Sequence, residues 1–513
     1  MDDLEDYSIK KVAKGGALIF AGMALSIAFF LFYKVMAARY LGPGNYGMLT
    51  LGITVMNIAA LIGLAGMHHS IGKLVSHYLA RRQHGRVKSV IVTGFIITIG
   101  LSLALAILLY FLSNYISLKI FSMPGLGTVI RIFAFGIPFS VLAQLLKHYF
   151  FTFRKPEFAI LSESVFEKLL NLLFLIALIS ISASLTSISL FYVLSLVIST
   201  LAGFSLLYPL TKRIFSKKIK LRLDFKGVLS FSTPLMLTGI LSVALAWMDT
   251  LFIGIFKTNA DVGIYNAAYT IASALIILLY SFGDIFYPIT SELYSKNAKQ
   301  QIKKIFETSS RWLFLMAFPL FVMIFAYPSS IITLLFGESY TGAASSLSIL
   351  IIGYFFITAF GLPEWGLRTF NKTKFLWVVT LIGFLLNIIL NVMLIPVYGI
   401  AGAAIAATIS IVFITLSRLV YFTRLINFSF DKLLYLKFIS AGLAAFAIAF
   451  YSLNFLGYWK KAWFLPILFY YLLLYFAMLF AFRSFSGEDA DMLEAIERKT
   501  GIGLGILKNL MRR

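Results

Sequence analysis

The sequence predicts an all-α polytopic membrane protein of about fourteen spanning helices. Two pseudo-symmetric six-helix lobes are expected around a central cleft, with two extra helices beyond them. Three observations lead there. Apolar windows of spanning length recur along the whole chain, basic residues gather in alternate connecting loops, and parts of the first half return 216 residues later.

The windows follow from composition. Of 513 residues, 60% are hydrophobic and 13% charged, with a mean hydropathy of +0.92. Soluble domains hold about 45–50% apolar and about 25% charged residues, so a soluble fold is excluded. Spans of about 20 residues fall near 15–38, 47–72, 88–113, 128–152, 158–181, 186–211, 228–256, 261–290, 309–327, 343–367, 375–395, 400–423, 435–456 and 462–482. The start, MDDLEDYSIKKVAKGG, mixes acids and bases and runs into a segment too long for a signal h-region, so the first helix is expected to stay as an uncleaved anchor.

Charge then tests the count. The net charge of +23 comes from 44 Lys and Arg against 21 Asp and Glu. The bases are not spread evenly: Lys73, Arg81, Arg82, Arg86 and Lys88 sit between spans 2 and 3, and seven more fill the stretch TKRIFSKKIKLRLDFK after span 6. Loops 8–9 and 10–11 are basic as well, whereas the alternate set holds little beyond Arg39, Lys119, Lys257, Lys460 and Lys461. Basic residues stay on the cytoplasmic side, so an even count with both termini cytoplasmic is expected, in the plasma membrane. This also accounts for the positive charge without nucleic acid.

The repeat sets the layout. Leu169-Leu170-Asn171 returns as Leu385-Leu386-Asn387, and Tyr46-Gly47 corresponds to Val262-Gly263, both 216 apart. Phe153, Lys155 and Phe158 return as Phe370, Lys372 and Phe375, 217 apart. Six spans separate the copies, an even number, so both keep the same orientation. The expected parts are 1–226 (helices 1–6), 227–428 (helices 7–12), 429–483 (helices 13–14) and 484–513, a cytoplasmic tail whose end suits an amphipathic interfacial helix.

Candidate working residues are ionisable groups inside spans, which are costly in hydrocarbon unless they face protein or water. Lys34 lies in helix 1, with Arg39 just beyond. Glu163, Glu167 and Asn171 share one face of helix 5 by their spacing, beside Lys168. The repeat counterpart in helix 11 carries Gly383, Asn387 and Asn391. Asp249 lies in helix 7 and maps onto Tyr33, next to Lys34, so these two charges are expected to help close the outer side. Lys147, Asp284, Glu364 and Arg368 lie toward the cytoplasmic edge, where ion pairing or snorkelling also explains such groups. Pro138, Pro288 and Pro363 are hinge candidates. Without cysteine there is no thiol nucleophile or thiolate ligand, and the five histidines show no metal-ligand spacing. No phosphate-binding loop or other catalytic constellation is present, so no enzyme activity and no cofactor are expected.

The segment KGGALIFAGMALSIAFFLFYKVMAARYLGPGNYGMLTLGITVMN resembles the opening of the polysaccharide transporter family, the O-antigen-type flippases. The resemblance is strongest at Ala38-Arg39-Tyr40-Leu41-Gly42-Pro43 with Tyr46-Gly47, and again from Pro234 through Asp249 to Val262-Gly263-Ile264-Tyr265. It implies the fold of the multidrug/oligosaccharidyl-lipid/polysaccharide exporter superfamily. It also implies export of a polyprenyl-pyrophosphate-linked oligosaccharide to the outer leaflet by alternating access. Glycosyltransferases of the same pathway and membrane lipids are then the expected partners, and a Na⁺ or H⁺ gradient the expected drive. On that reading Lys34, Arg39 and Lys168 are candidates for the anionic head group, while Glu163, Glu167, Asn171, Asp249 and Asn387 are candidates for the cavity and coupling. The rival readings are a cation-coupled multidrug exporter of the same fold and a membrane glycosyltransferase or polymerase acting on lipid-linked sugars.

Overall fold

The computed structural model describes residues 2–81, 83–153, 155–215, 223–455, 464–482 and 484. Side chains at 2–21, 23–24, 68–70, 163–164, 213–215, 229–240, 242–244, 453, 455 and 465 also lie outside the description. So does the expected amphipathic tail beyond 484. The described residues form helices and no strand.

In order these are α1 (Asp2–Gly63), α2 (Met67–Ala80), α3 (His84–Tyr115), α4 (Leu126–Thr152), α5 (Pro156–Ala159), α6 (Glu167–Ser180), α7 (Leu185–Phe215), α8 (Phe225–Phe256) and α9 (Asn259–Ala274). They continue as α10 (Ile276–Ser295), α11 (Lys299–Ala326), α12 (Pro328–Phe336), α13 (Ala343–Phe360), α14 (Pro363–Thr369), α15 (Thr373–Tyr398), α16 (Ile400–Leu425), α17 (Lys432–Phe455) and α18 (Phe464–Ala481). Among the described residues, ten helices are long and apolar enough to cross a membrane. Leu245–Phe256 and Pro466–Ala481 are shorter apolar pieces. The protein is therefore a multi-pass membrane protein.

The first two expected spans lie in α1, which is two helices meeting at a kink. It bends at Gly42 (φ 70, ψ 170), a backbone setting open to glycine, and Pro43 restarts the helix at a position where a missing N–H costs nothing. The fifth span is not uniform either. Residues Ile160–Phe166 between α5 and α6 wind as a π-helix, which shifts the phase of the face drawn through Glu163 and Glu167.

The residues cluster into two compact units, Met1–Asn266 with Ile395–Ile400, and Ala267–Leu394 with Ala401–Arg513. In the first unit α4 is the central element and packs against α1, α2, α3 and α7. It is apolar all round and buried over most of its length, whereas most of the apolar window of α3 is exposed, as a lipid-facing helix should be. Pro138 sits within α4 without ending it.

The turn regions around Gly47 and Gly263 meet in this unit. A Cβ on Gly47 would fall 1.7 Å from the carbonyl oxygen of Asn259, and one on Gly263 would fall 2.1 Å from that of Pro43. Gly47 and Gly263 are 216 apart, as are Pro43 and Asn259, so the contact is reciprocal. Its two Cα–H···O approaches contribute about 0.5–1 kcal/mol each. The helix starts are in register too: Gly42 precedes Pro43, while Thr258 caps α9 in a box with Asp261 (N–H of Thr258 to Oδ2, 3.0 Å; N–H of Asp261 to Oγ1, 3.3 Å). Near these turns, the Tyr40 hydroxyl donates to the Ala183 carbonyl at 2.9 Å, and the Lys257 ammonium to the Pro396 carbonyl at 3.2 Å.

In the second unit α11 packs on α10, α13 and α17, and α17 on α18. An aromatic core built on Phe286, Phe306, Trp365, Phe370 and Phe422 joins α10, α11, α14 and α16. Asn297, Asn371 and Asn427 end α10, α14 and α16 with positive φ, the left-handed stop that asparagine tolerates. Of the expected hinges, Pro288 lies inside α10, while Pro363 opens the short α14 after a break from α13.

Candidate functional site

A cavity of about 320 Å³ lies within the first unit. Its walls are Ser26, Phe30, Tyr33 and Lys34 of α1, Thr50 and Asn57 beyond the α1 bend, and Ser140 and Gln144 of α4. Glu167 and Lys168 of α6, Tyr192 of α7, Trp247 of α8, Asn266 of α9 and Tyr46 beyond the bend also line it. Three of the charges expected from the sequence, Lys34, Glu167 and Lys168, thus come together on the wall of one cavity.

Their geometry is specific. The Lys168 ammonium donates to Glu167 Oε1 at 2.7 Å, and the Glu167 side chain is only 6% exposed. Lys168 Nζ lies 5.5 Å from the centroid of the Phe30 ring and Lys34 Nζ lies 4.7 Å from the same centroid. One aromatic ring therefore carries both ammonium groups, using its negative face to offset part of their repulsion. Two cations against one carboxylate give these three side chains a formal charge of +1. Ile27, Leu49, Ile53, Met56, Ala143 and Leu196 also form the wall, so most of the lining is apolar, with the hydroxyl, amide and charged groups set among it.

The other expected residues sit as follows. The side chain of Glu163 lies outside the described residues. Asn171, one turn along α6, is buried and accepts from the Ser195 hydroxyl of α7, fastening the two helices. Arg39 is exposed beyond the cavity, near the α1 bend. Asp249 is buried and accepts from the Tyr265 hydroxyl at 3.0 Å, beside the Thr250–Asn266 hydrogen bond. Asn387 is buried in the second unit and its Oδ1 accepts from the Asn391 amide at 3.0 Å. Lys147 is half-buried on α4, and Asp284 is exposed on α10. Glu364 and Arg368 pair within α14, and Glu364 Oε2 also accepts from Arg418 Nη1 of α16 at 2.6 Å. Among the described residues, no cluster of three His, Asp or Glu is placed to hold a metal ion.

A search for charge alone passes over Tyr33, Ser140, Gln144, Tyr192 and Trp247, because neutral polar and aromatic residues are common in apolar spans. Thr50 and Asn266 carry a signal of another kind: they are 216 apart and both line the cavity. Arg418 lies inside the span expected at 400–423, so its charge is itself the clue.

Residues 35–345 match the polysaccharide biosynthesis protein family. The chain belongs to that family. The expected resemblance is thereby confirmed, and so is the all-helical fold. This polysaccharide biosynthesis protein is 28% identical over 239 residues to the probable low-salt glycan biosynthesis flippase Agl15 of Haloferax volcanii, covering 46% of its own length. It spans about half of that relative, 51%. It is 21% identical over 404 residues to a putative O-antigen transporter of Shigella flexneri, covering 76% of this chain and 92% of that one. Among solved structures, the lipid II flippase MurJ in an inward closed conformation matches with a TM-score of 0.67 at 16% identity, over 91% of this chain and 98% of that one. An inward-facing multidrug resistance transporter of the MATE family, in the MOP superfamily, matches with a TM-score of 0.64 at 15% identity, over 78% and 94%. At such identities the likeness carries the fold alone, which this chain shares with both structures.

Proposed function

We propose that this protein flips a lipid-linked oligosaccharide, carried on polyprenyl pyrophosphate, from the inner to the outer leaflet of the plasma membrane. The observation that carries the reading is the cavity with Lys34 and Lys168 on one Phe30 ring and Glu167 as their acidic neighbour. The pyrophosphate is the strongly anionic part of such a cargo, and charge-assisted hydrogen bonds from two ammonium groups offset its loss of water. Hydroxyl and amide groups such as Ser140, Gln144 and Asn57 can meet the first sugar, while the polyprenyl chain stays in lipid.

Coupling follows from the same triad. A phosphate oxygen that takes Lys168 leaves Glu167 without the cation it now holds at 2.7 Å. A buried carboxylate without a cationic partner is costly, so Glu167 is the proposed carrier of a Na⁺ or H⁺, taken up on the outer side once the cargo has left and carried inward on the return half-cycle. Alternating access then exposes the loaded cavity to each side in turn. Both termini lie in the cytoplasm on this reading, and glycosyltransferases that build the lipid-linked sugar act before the flippase. The two lysines weigh against a carrier of cationic drugs on the same fold, because such cargo would be repelled.

The test is reconstitution in proteoliposomes with a defined polyprenyl-pyrophosphate oligosaccharide. Its appearance in the opposite leaflet is followed by a membrane-impermeant glycosidase, with and without an imposed Na⁺ or H⁺ gradient. Gradient-dependent appearance is expected. Translocation equal to that of protein-free vesicles for every lipid-linked sugar tried would end the proposal.

A further inference from the structure

The cavity ends one helical turn from the Gly47–Gly263 contact. Tyr46 lines it beside Gly47, and Thr50 and Asn266 each stand three residues past their own glycine. We propose that the two glycines form a seam that shuts this end of the cavity, that cargo leaves only when the seam parts, and that both positions need glycine for it to shut. The inference rests on the transport reading for the word cargo, but not for the seam itself.

The physical argument begins with what faces each glycine. At both positions the obstacle is a backbone carbonyl, 1.7 Å and 2.1 Å from the place a Cβ would take. A clashing side chain can turn to another rotamer, but a helix carbonyl cannot. Any larger residue must therefore push the two helix starts apart. With glycine the helices close to backbone contact, leaving no gap for a sugar or a lipid phosphate to pass. The approaches are weak Cα–H···O contacts between the glycines and the carbonyls of Pro43 and Asn259, so the seam can part without breaking a strong bond there.

The location fits an exit. The seam joins the turn after the first half of α1 to the turn after α8, and these turns carry few bases, Arg39 and Lys257. The positive-inside rule puts them on the side away from the cytoplasm. The carbonyl of Pro43 lies just past the Gly42 bend, where α1 can swing its two halves relative to each other. Across the same place, a Cβ at Gly44 would lie 3.9 Å from Asn259 Cγ, so the two positions face each other across the seam.

The chain has no cysteine, so an introduced thiol is unique. Thr50→Cys in the full-length protein places one a turn inside the seam. A membrane-impermeant maleimide added from the side of these turns should label it slowly. Gly47→Val or Gly263→Val in that background should raise the labelling rate by about tenfold, the scale of losing two weak contacts. An unchanged rate in a variant that elutes as a single species with an unaltered circular-dichroism spectrum overturns the proposal. If the valine variants do not fold, the Gly44→Cys/Asn259→Cys pair decides the matter. Oxidation should stop translocation and a reductant should restore it, whereas full-rate translocation by the fully cross-linked protein overturns the seam. Because labelling needs no cargo, a failure of the flippase reading would leave the seam result standing.

Discussion

The Glu364 cluster allows a stability prediction to be worked through from geometry. α14 is only seven residues long and is severed from α13 at Gly361-Leu362. Glu364 ties it to α16 through Arg418, whose guanidinium also donates from Nη2 to Thr380 Oγ1 of α15 at 2.9 Å. The Arg418 side chain is 12% exposed and the Glu364 side chain 25%, so the pair is largely removed from water. Arg418→Met keeps the aliphatic bulk but leaves Glu364 with Arg368 alone, which is 52% exposed. Breaking a fully buried pair costs about 3–5 kcal/mol. The remaining partner and partial exposure lower that to about 1.5–3 kcal/mol. In a cooperative unit of about 150–250 residues this corresponds to a fall in Tm of about 3–12 °C. Thermal unfolding in detergent, followed by size-exclusion fluorescence, measures it. The double change Glu364→Gln/Arg418→Met should cost less than the sum of the single changes, by about 1–3 kcal/mol. Single variants that melt within about 1 °C of the parent, or a strictly additive double variant, would refute the reasoning.

Lys34→Gln and Lys168→Gln should each weaken use of a pyrophosphate-linked cargo by about 10- to 150-fold, the loss of one charge-assisted hydrogen bond. Lys34→Arg should retain much of the activity, and the dependence of translocation rate on cargo concentration shows both. Tyr265→Phe removes a donor to the buried Asp249 and should lower stability by about 1–2 kcal/mol, read as a drop in Tm. Gly366→Ala sets a Cβ 2.3 Å from Phe422 Cζ in the aromatic core and should cost about 1–3 kcal/mol. Phe422→Leu, by clearing that space, should recover part of the loss in the same melting assay.

Much of the fold could be read in advance because bilayer thickness fixes the length of an apolar run. The stretches expected at 375–395 and 400–423, for example, fall within α15 and α16. What hydropathy does not encode is where helices meet without a loop. The first two spans are two helices meeting at a kink at Gly42 with no loop between them, and α11 begins at Lys299, ten residues before the apolar stretch expected at 309. Those ten are helical because Gln, Lys and Glu are good helix formers in water, a preference hydropathy ignores. The π-helical turn at Ile160–Phe166 left no mark in the residue pattern, since it depends on how α1 packs there: a Cβ on Gly22 would meet Ile160 at 2.6 Å. At the site, cost in hydrocarbon singled out Lys34, Glu167 and Lys168, but it says nothing of Phe30, whose ring holds the two ammonium groups in place. Arg39 and Asp284 illustrate the converse, since a charge near a span's end is cheap wherever it points, and both point outward.

The reciprocal meeting of Gly47 with Asn259 and of Gly263 with Pro43 has the form of an isologous interface, the kind two identical subunits make about a dyad. In such a pair a single residue would have to serve on both sides, and only one without a side chain can do so when each faces a main-chain oxygen. A half-length ancestor that paired with itself would thus already have required glycine at that position. In this single chain, positions 216 apart can differ, as Lys34 and Thr250 do, while both seam positions, under the same steric demand, are glycine.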